Sequence, residues 1–247
     1  MTATARTLPA RPYGARAFAR QRRPGFADCS PSRRLRLDAL AGWLQDLAWD
    51  DIDDAGLADV AVWVVRRTRI HVERFPRFGE HYTLTTFCSG LGRMWAERGT
   101  DLVREGETVP DVECSSIWVH LDVERHMPSP VSEIEILTYF GRYPAPRVSA
   151  RLRHPPPDAT ARVRPWTFRA AESDVADHIN NAAYWTPLEE ELLGGADPER
   201  LDLELEYRTP AQPGDMRILS GGDRRWIVDP ADEINASFLL GADFAER

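Results

Sequence analysis

The sequence predicts an α+β chain made of two similar units, and three observations carry that reading. Each half opens with one helix of apolar spacing. Each helix is followed by several strand-like runs, the pattern of segregated α and β elements rather than of alternating βαβ units. Finally, a glycine-centred segment occurs twice: "RFPRFGEHYTLTT" (74–86) and "RTPAQPGDMRILS" (208–220) share an Arg, a Pro two places on, a Gly followed by an acid, then an alternating run. Gly79 and Gly214 lie about 135 residues apart, a period the size of a small domain.

Taken in order, residues 1–11 read as a frayed tail. The opening is rich in Arg, Ala and Thr and has no acid before Asp28, but it lacks the apolar core of a secretory signal, and strand-like text begins by Tyr13. Leu37, Leu40, Ala41, Leu44, Leu47 and Ala48 then form the apolar face of a helix. Strands are expected at 60–73, 82–88, 94–103 and 112–121, with a weaker one at 134–139, and "REGETVP" is a turn between two of them. The Pro-rich "RHPPPDATARVRP" (153–165) reads as a linker, dividing an N-terminal unit (12–152) from a C-terminal unit (166–247). In the second unit Tyr184, Trp185, Leu188 and Leu192 repeat the helical spacing, with Asn180 or Asn181 as N-cap. Pro187 predicts either a kink or a helix that begins near Thr186. Strands follow at 203–208, 216–220, 226–228 and 234–240.

Composition narrows the function. A net charge of −8 argues against wholesale nucleic-acid binding. No stretch approaches the roughly 18 apolar residues of a membrane span. Cys29, Cys88 and Cys114 show neither a disulfide framework nor metal-ligand spacing, which points to small buried hydrophobes in a reducing, cytoplasmic setting. The chain contains no lysine, so apart from histidine every basic residue is arginine. The bunches Arg20/Arg22/Arg23, Arg33/Arg34/Arg36 and Arg66/Arg67/Arg69 read singly as solvated faces, and together as a docking surface for an anionic partner.

The densest chemistry is in "SDVADHINNAAYW" (173–185), which places Asp174, His178, Asn180, Asn181 and Tyr184 at the start of the second helix. A helix with antiparallel strands and D-x-x-x-H-x-N-N-x-x-Y at the helix start resembles the hotdog-fold thioesterases. The duplicated layout is similar to the acyl-acyl carrier protein thioesterases, which carry two hotdog units in one chain. The resemblance spans about residues 13–240 and also rests on "WVVRRTRIHVERFPRFGE", "SGLGRMWAERGTDLV" and "LELEYRTPAQPGD". It implies a tandem hotdog, each unit a long helix wrapped by a curved antiparallel sheet. It further implies hydrolysis of a fatty acyl thioester of acyl carrier protein, with no metal and no redox cofactor. The plant enzymes have Asn where this chain has Ala176, and Glu-Cys where it has Pro210 and Ala211.

Hydrolysing a thioester takes a nucleophile, donors for the oxyanion and a proton for the departing thiolate. With no thiol at Ala211, the expected route is water activated by Asp174 and assisted by His178, an imidazole suited to proton transfer. The helix start at Asn180 and Asn181 would offer N–H groups to the oxyanion. The first helix has no Asp-His pair at its start, so one reacting centre per chain is expected, in the C-terminal unit. The N-terminal unit would hold the acyl tail, with Trp43, Leu44, Leu47 and Trp49 as lining residues. Glu189, Glu190 and Glu191 read as a solvated helix face, with one of them turned inward as a supporting carboxylate as the lesser alternative. Two rivals remain: an acyl-CoA thioesterase, and an acyl-binding hotdog without chemistry. The chain either stands alone or pairs as a homodimer.

Overall fold

The computed structural model describes residues 8–241. Its described residues build one ten-stranded antiparallel sheet in the order β1-β3-β4-β5-β2-β7-β10-β9-β8-β6. The first unit supplies β1 (Ala17–Arg22), α1 (Leu37–Asp54), β2 (Val62–Val72), β3 (Tyr82–Leu91), β4 (Trp95–Arg104), β5 (Val112–Leu121) and α2 (Glu133–Phe140). The second supplies β6 (Arg162–Phe168), α3 (Thr186–Leu193), β7 (Leu201–Tyr207), β8 (Gly214–Gly221), β9 (Arg224–Val228) and β10 (Ile234–Leu240). Read outward from the β2–β7 pair, each unit gives the same order: the strand after the long helix, then the last, third and second hairpin strands, then the strand before the helix. Gly79 and Gly214 sit just before or at the start of equivalent strands, β3 and β8. Both have positive φ (84° and 141°), a backbone state open to glycine at little cost.

The two units share one core. Leu37, Leu40 and Leu47 of α1 pack in the same cluster as Trp185, Leu188 and Leu192 around α3, with Leu203, Leu205 and Phe238 of the sheet beneath. At the β2–β7 pair, Arg67, Arg69 and His71 stand opposite Glu206, Glu204 and Asp202. Cross-strand opposite charges favour this register, and Arg69 closes on Asp202 through two bonds of 3.1 and 2.8 Å.

Many arginines expected on solvated faces are therefore committed to acids. Arg16, Arg20 and Arg22 clip β1 to Asp51, Asp50 and Asp46 of α1 at 3.1–3.3 Å. Arg34 is fully buried and reaches across to α3, where Glu189 takes its Nη1 and Nη2 at 3.1 and 2.5 Å and also accepts the Leu37 N–H at 3.0 Å. Glu189 is thus an interior clamp, contrary to the solvated face expected. Glu190 points outward, and Glu191 binds Arg225 at 2.9 Å. The Arg34 guanidinium justifies the burial, because a desolvated carboxylate needs a paired, hydrogen-bonded cation.

Two elements depart from the sequence reading, and a third takes the later of its two expected starts with a different N-cap. Residues 134–139 are helical, within α2, and not a strand. Ser132 and Glu135 form a capping box that starts the helix. β6 begins at Arg162, inside the stretch expected to be linker; it is an edge strand, where Pro165 needs no ladder partner for a missing N–H. α3 starts at Thr186 with Pro187 in its first turn, preceded by a 3-10 turn at Ala183–Trp185, so no kinked helix forms and neither Asn180 nor Asn181 is its N-cap. The tail expectation falls largely on residues 1–7, outside those described, and Leu8 is buried.

The Pro-rich segment is latched to the sheet. Glu206 accepts the N–H groups of Arg153 and His154, and Arg208 donates to the His154 carbonyl at 2.6 Å. His154, Glu204 and Glu206 bring ligand-type atoms within 4.8 Å of one another, but these existing bonds already use the Glu206 oxygens. No helix among the described residues is long and apolar enough to cross a membrane.

Candidate active site

Residues 173–179 form a tight reversal. Ser173 and Ile179 bridge, the Asp174 N–H donates to the His178 carbonyl (2.9 Å) and the Asp177 N–H to the Asp174 carbonyl (3.0 Å). Asp177 closes the turn at φ 59°, a left-handed state that Asp tolerates better than most residues. The turn fixes the Asp174 carboxylate: Oδ1 accepts the Ala176 N–H at 2.9 Å and Oδ2 accepts Asn180 Nδ2 at 3.2 Å. Each oxygen keeps a lone pair for a further donor. Among the described residues, the His178 imidazole has no hydrogen-bond partner and makes no bond to Asp174.

Behind this turn lies a buried hydrogen-bonded wall. The Tyr184 hydroxyl accepts the Ala211 N–H at 2.7 Å. Trp185 Nε1 donates to the Tyr207 hydroxyl (3.0 Å), which donates to the Asn181 carbonyl (3.1 Å). Burial pushes the Tyr184 phenol up to about 12, so it stays protonated. Asn180 is spent inside the turn: its N–H donates to Glu172 and its Oδ1 accepts Ala182 N–H at 2.8 Å. The helix-start source of oxyanion donors expected at Asn180 is therefore occupied. The Asn181 N–H has no partner among the described residues.

The motif opens on a cavity of about 1580 Å³, larger than the roughly 300–1,000 Å³ of a site for a compact ligand. Asp174, His178 and Asn181 line it, and so does Trp49. Trp43, Leu44 and Leu47 do not: they pack in or against the core, because the stripe of α1 that faces the sheet is the stripe their spacing defines. Asn180 is also off the cavity wall. The walls are instead supplied by strands of the N-terminal unit, through Val65, Ala96 and Trp118, and by Gln45 of α1. Gln45 was not anticipated. It accepts Asn181 Nδ2 at 3.3 Å and so ties the motif to the other unit. Its signal was its place on α1 between two core residues, on the flank of the apolar stripe.

Pro210 lines the cavity, while Ala211 is buried behind it, so no thiol reaches the motif from that strand end. Cys88 lines the distant part of the cavity. Burial raises the thiols of Cys29 and Cys88, the latter to about 12, and that of Cys114 well above its usual value, which leaves all three as poor nucleophiles.

A duplicated helix-and-sheet unit, its ten strands joined in one antiparallel sheet, is the tandem hotdog architecture. Comparison with known proteins narrows this. Residues 18–139 match the family model described as the acyl-ACP thioesterase N-terminal domain. The chain is 29% identical over 200 residues to the chloroplastic palmitoyl-acyl carrier protein thioesterase of Arabidopsis thaliana, covering 71% of this chain and 48% of the plant protein. An uncharacterised Mycobacterium tuberculosis protein is 26% identical over 224 residues, covering 87% of this chain and 84% of that one. Among solved structures, an acyl-ACP thioesterase from Bacteroides thetaiotaomicron superposes with a TM-score of 0.77 at 16% identity, covering 91% of this chain and 96% of the other. The 12:0-ACP thioesterase from Umbellularia californica gives 0.72 at 20% identity with the same coverages. The N-terminal part of the chain thus matches the acyl-ACP thioesterase family model, and the chain as a whole shares the fold of acyl-ACP thioesterases of known structure.

Proposed function

We propose that this protein hydrolyses the fatty acyl thioester of acyl carrier protein to a free fatty acid, with the reacting groups in the C-terminal unit and the acyl tail held largely by the N-terminal one. The observation that carries the proposal is that Asp174 and His178 line the same cavity as the apolar strands of the first unit. The Asp174 carboxylate, oriented by Ala176 N–H and Asn180, takes a proton from water. The water oxygen attacks the thioester carbon, and the free N–H of Asn181 receives the developing oxyanion. As the C–S bond breaks, protonated His178 delivers its proton to the departing sulfur, so the products are a carboxylic acid and a thiol; Asp174 then releases the proton taken from water to solvent and the imidazole takes one up, which resets both groups. The absence of a thiol at Ala211 supports water over a covalent acyl-cysteine.

The carrier reading draws on the names of the plant and bacterial relatives and on Arg22, Arg66 and Arg208, which line the cavity and suit an acidic partner. The low reactivity of the three cysteines fits a cytoplasmic setting.

The test is thiol release from acyl carrier protein thioesters by the wild type, Asp174→Asn and His178→Ala. Each variant should lose about 10²- to 10⁴-fold in kcat/KM, the usual reach of acid–base groups, with an unchanged melting temperature. Full activity in both variants would remove the site assignment. Rates on the carrier-protein thioester should fall as salt rises, whereas equal, salt-insensitive rates on acyl-CoA would assign coenzyme A as the carrier.

A further inference from the structure

The cavity changes character along its length. Val65, Trp118, Ala96 and Leu91 stand in register on β2, β5, β4 and β3, and all four line it. Its middle is therefore an apolar track laid across the sheet of the first unit. Charged groups also line the cavity on the side of that track away from β7, Arg98 among them on β4. Arg98 donates to Asp51 of α1 at 2.6 Å and to the Tyr139 hydroxyl of α2 at 3.4 Å, and Arg16 holds the same Asp51 at 3.1 Å. Glu135 of α2 accepts from His120 Nε2 at 3.1 Å and from the N–H and hydroxyl of Ser132 at 2.8 and 2.6 Å. These groups are buried and mutually satisfied, so a hydrocarbon terminus cannot displace one without stranding its partner.

Two independent rulers measure the distance from the reacting turn to these charged groups. Asn181 of the turn is bonded to Gln45, and Asp51 lies six residues further along α1, about 9 Å at about 1.5 Å per residue. Tyr207 on β7 is bonded to Asn181, and Arg98 on β4 lies three strands away, about 14 Å at about 4.8 Å per strand. An extended alkyl chain advances about 1.25 Å per carbon, given C–C bonds near 1.5 Å at tetrahedral angles. The space between the turn and the guanidinium thus takes about 7 to 11 methylene carbons, which makes an acyl group of about 8 to 12 carbons once the carbonyl carbon held at the turn is included.

We propose that this protein selects medium-chain acyl groups, of about 8 to 12 carbons, and that Arg98, fixed by Asp51 and Tyr139, sets the upper limit. The inference rests on the thioesterase reading above. Up to the limit, each methylene laid on the apolar track strengthens binding about fourfold. Beyond it, added methylenes run into the fixed ion pair, which they can pass only by desolvating it or by pulling the thioester off the reacting turn, so kcat/KM falls.

The experiment measures kcat/KM for thiol release from saturated acyl thioesters of acyl carrier protein, with chains of about 4 to 18 carbons. The wild type should peak at about 8 to 12 carbons and be at least about tenfold slower at 16. Arg98→Met should move the peak up by about two carbons or more. Ala96→Phe, which fills the track without touching the ion pair, should move it down, and it decides the matter should Arg98→Met not fold. A wild-type optimum at 16 to 18 carbons, or profiles unchanged in both variants, would overturn the proposed limit while leaving the hydrolase intact. No release at any length would instead defeat the thioesterase reading on which it rests.

Discussion

Replacing Glu189 by alanine tests how the two units hold the Asp174–His178 turn in place. The carboxylate receives two hydrogen bonds from Arg34 and one from the Leu37 N–H, and both charged side chains are nearly inaccessible to solvent. Removing one partner of such a pair costs about 3–5 kcal/mol, here toward the lower end because Arg34 keeps Asp197 at 3.1 Å while its Nη2 and the Leu37 N–H lose their acceptor. Unfolding entropy of about 2.1 cal/mol/K per residue makes that a fall of about 6–10 °C in melting temperature for a chain of this size. Differential scanning calorimetry or circular dichroism on heating reads this directly. The double exchange Arg34→Met with Glu189→Leu removes both charges together and should lose less than Glu189→Ala alone. A fall below about 2 °C for the single variant, or a double variant worse than the single, would refute a buried clamp between the helices. Because α3 starts directly after Tyr184 and Trp185, activity should fall along with stability.

Two further perturbations read other parts of the fold. Hydrogen bonding from His154 holds the Glu204 carboxyl below its usual value, with Arg67 and Arg69 assisting against burial. Its contribution is therefore complete above the unfolded value of about 4.3 and lost as pH falls through the lower folded one, so Glu204→Gln should flatten the acid limb of urea stability below about pH 5. Tyr184→Phe removes the acceptor of the buried Ala211 N–H and should cost about 1–3 kcal/mol in urea unfolding. That cost should be the same at pH 6 and pH 9, since the phenol is pushed up to about 12; a strongly pH-dependent cost would mean that the hydroxyl titrates.

How legible each element was depended on where its determinants lie. β5 and β10 run over the same residues as the strands read at 112–121 and 234–240, because alternation is a local signal of half-buried strands. α2 was misread because Ile134 and Ile136 alternate with acids; the deciding feature was the Ser132–Glu135 box, also local but outweighed by that alternation. β6 was hidden by Pro165, whose tolerance depends on edge position, which only the assembled sheet defines. Within the site, the spacing of Asp174 and His178 was visible, yet Gln45 was not, since the face of α1 that meets the motif is set by packing between units. The same cause separates Trp49 from Trp43, Leu44 and Leu47: helical period identified a stripe, and that stripe was core. The acids of "LDLELEY" opposite the arginines of "WVVRRTRIHVE" were readable as complementary text, and the solvated reading of those arginines overlooked it.

That complementarity carries a consequence for how the molecule can assemble. One inner edge is basic and the other acidic, so an edge laid against a copy of itself would bring guanidinium to guanidinium or carboxylate to carboxylate. The two units are lock and key rather than twins, and separated fragments should recognise each other in preference to themselves. A fusion of this kind frees each half to change without the other having to follow.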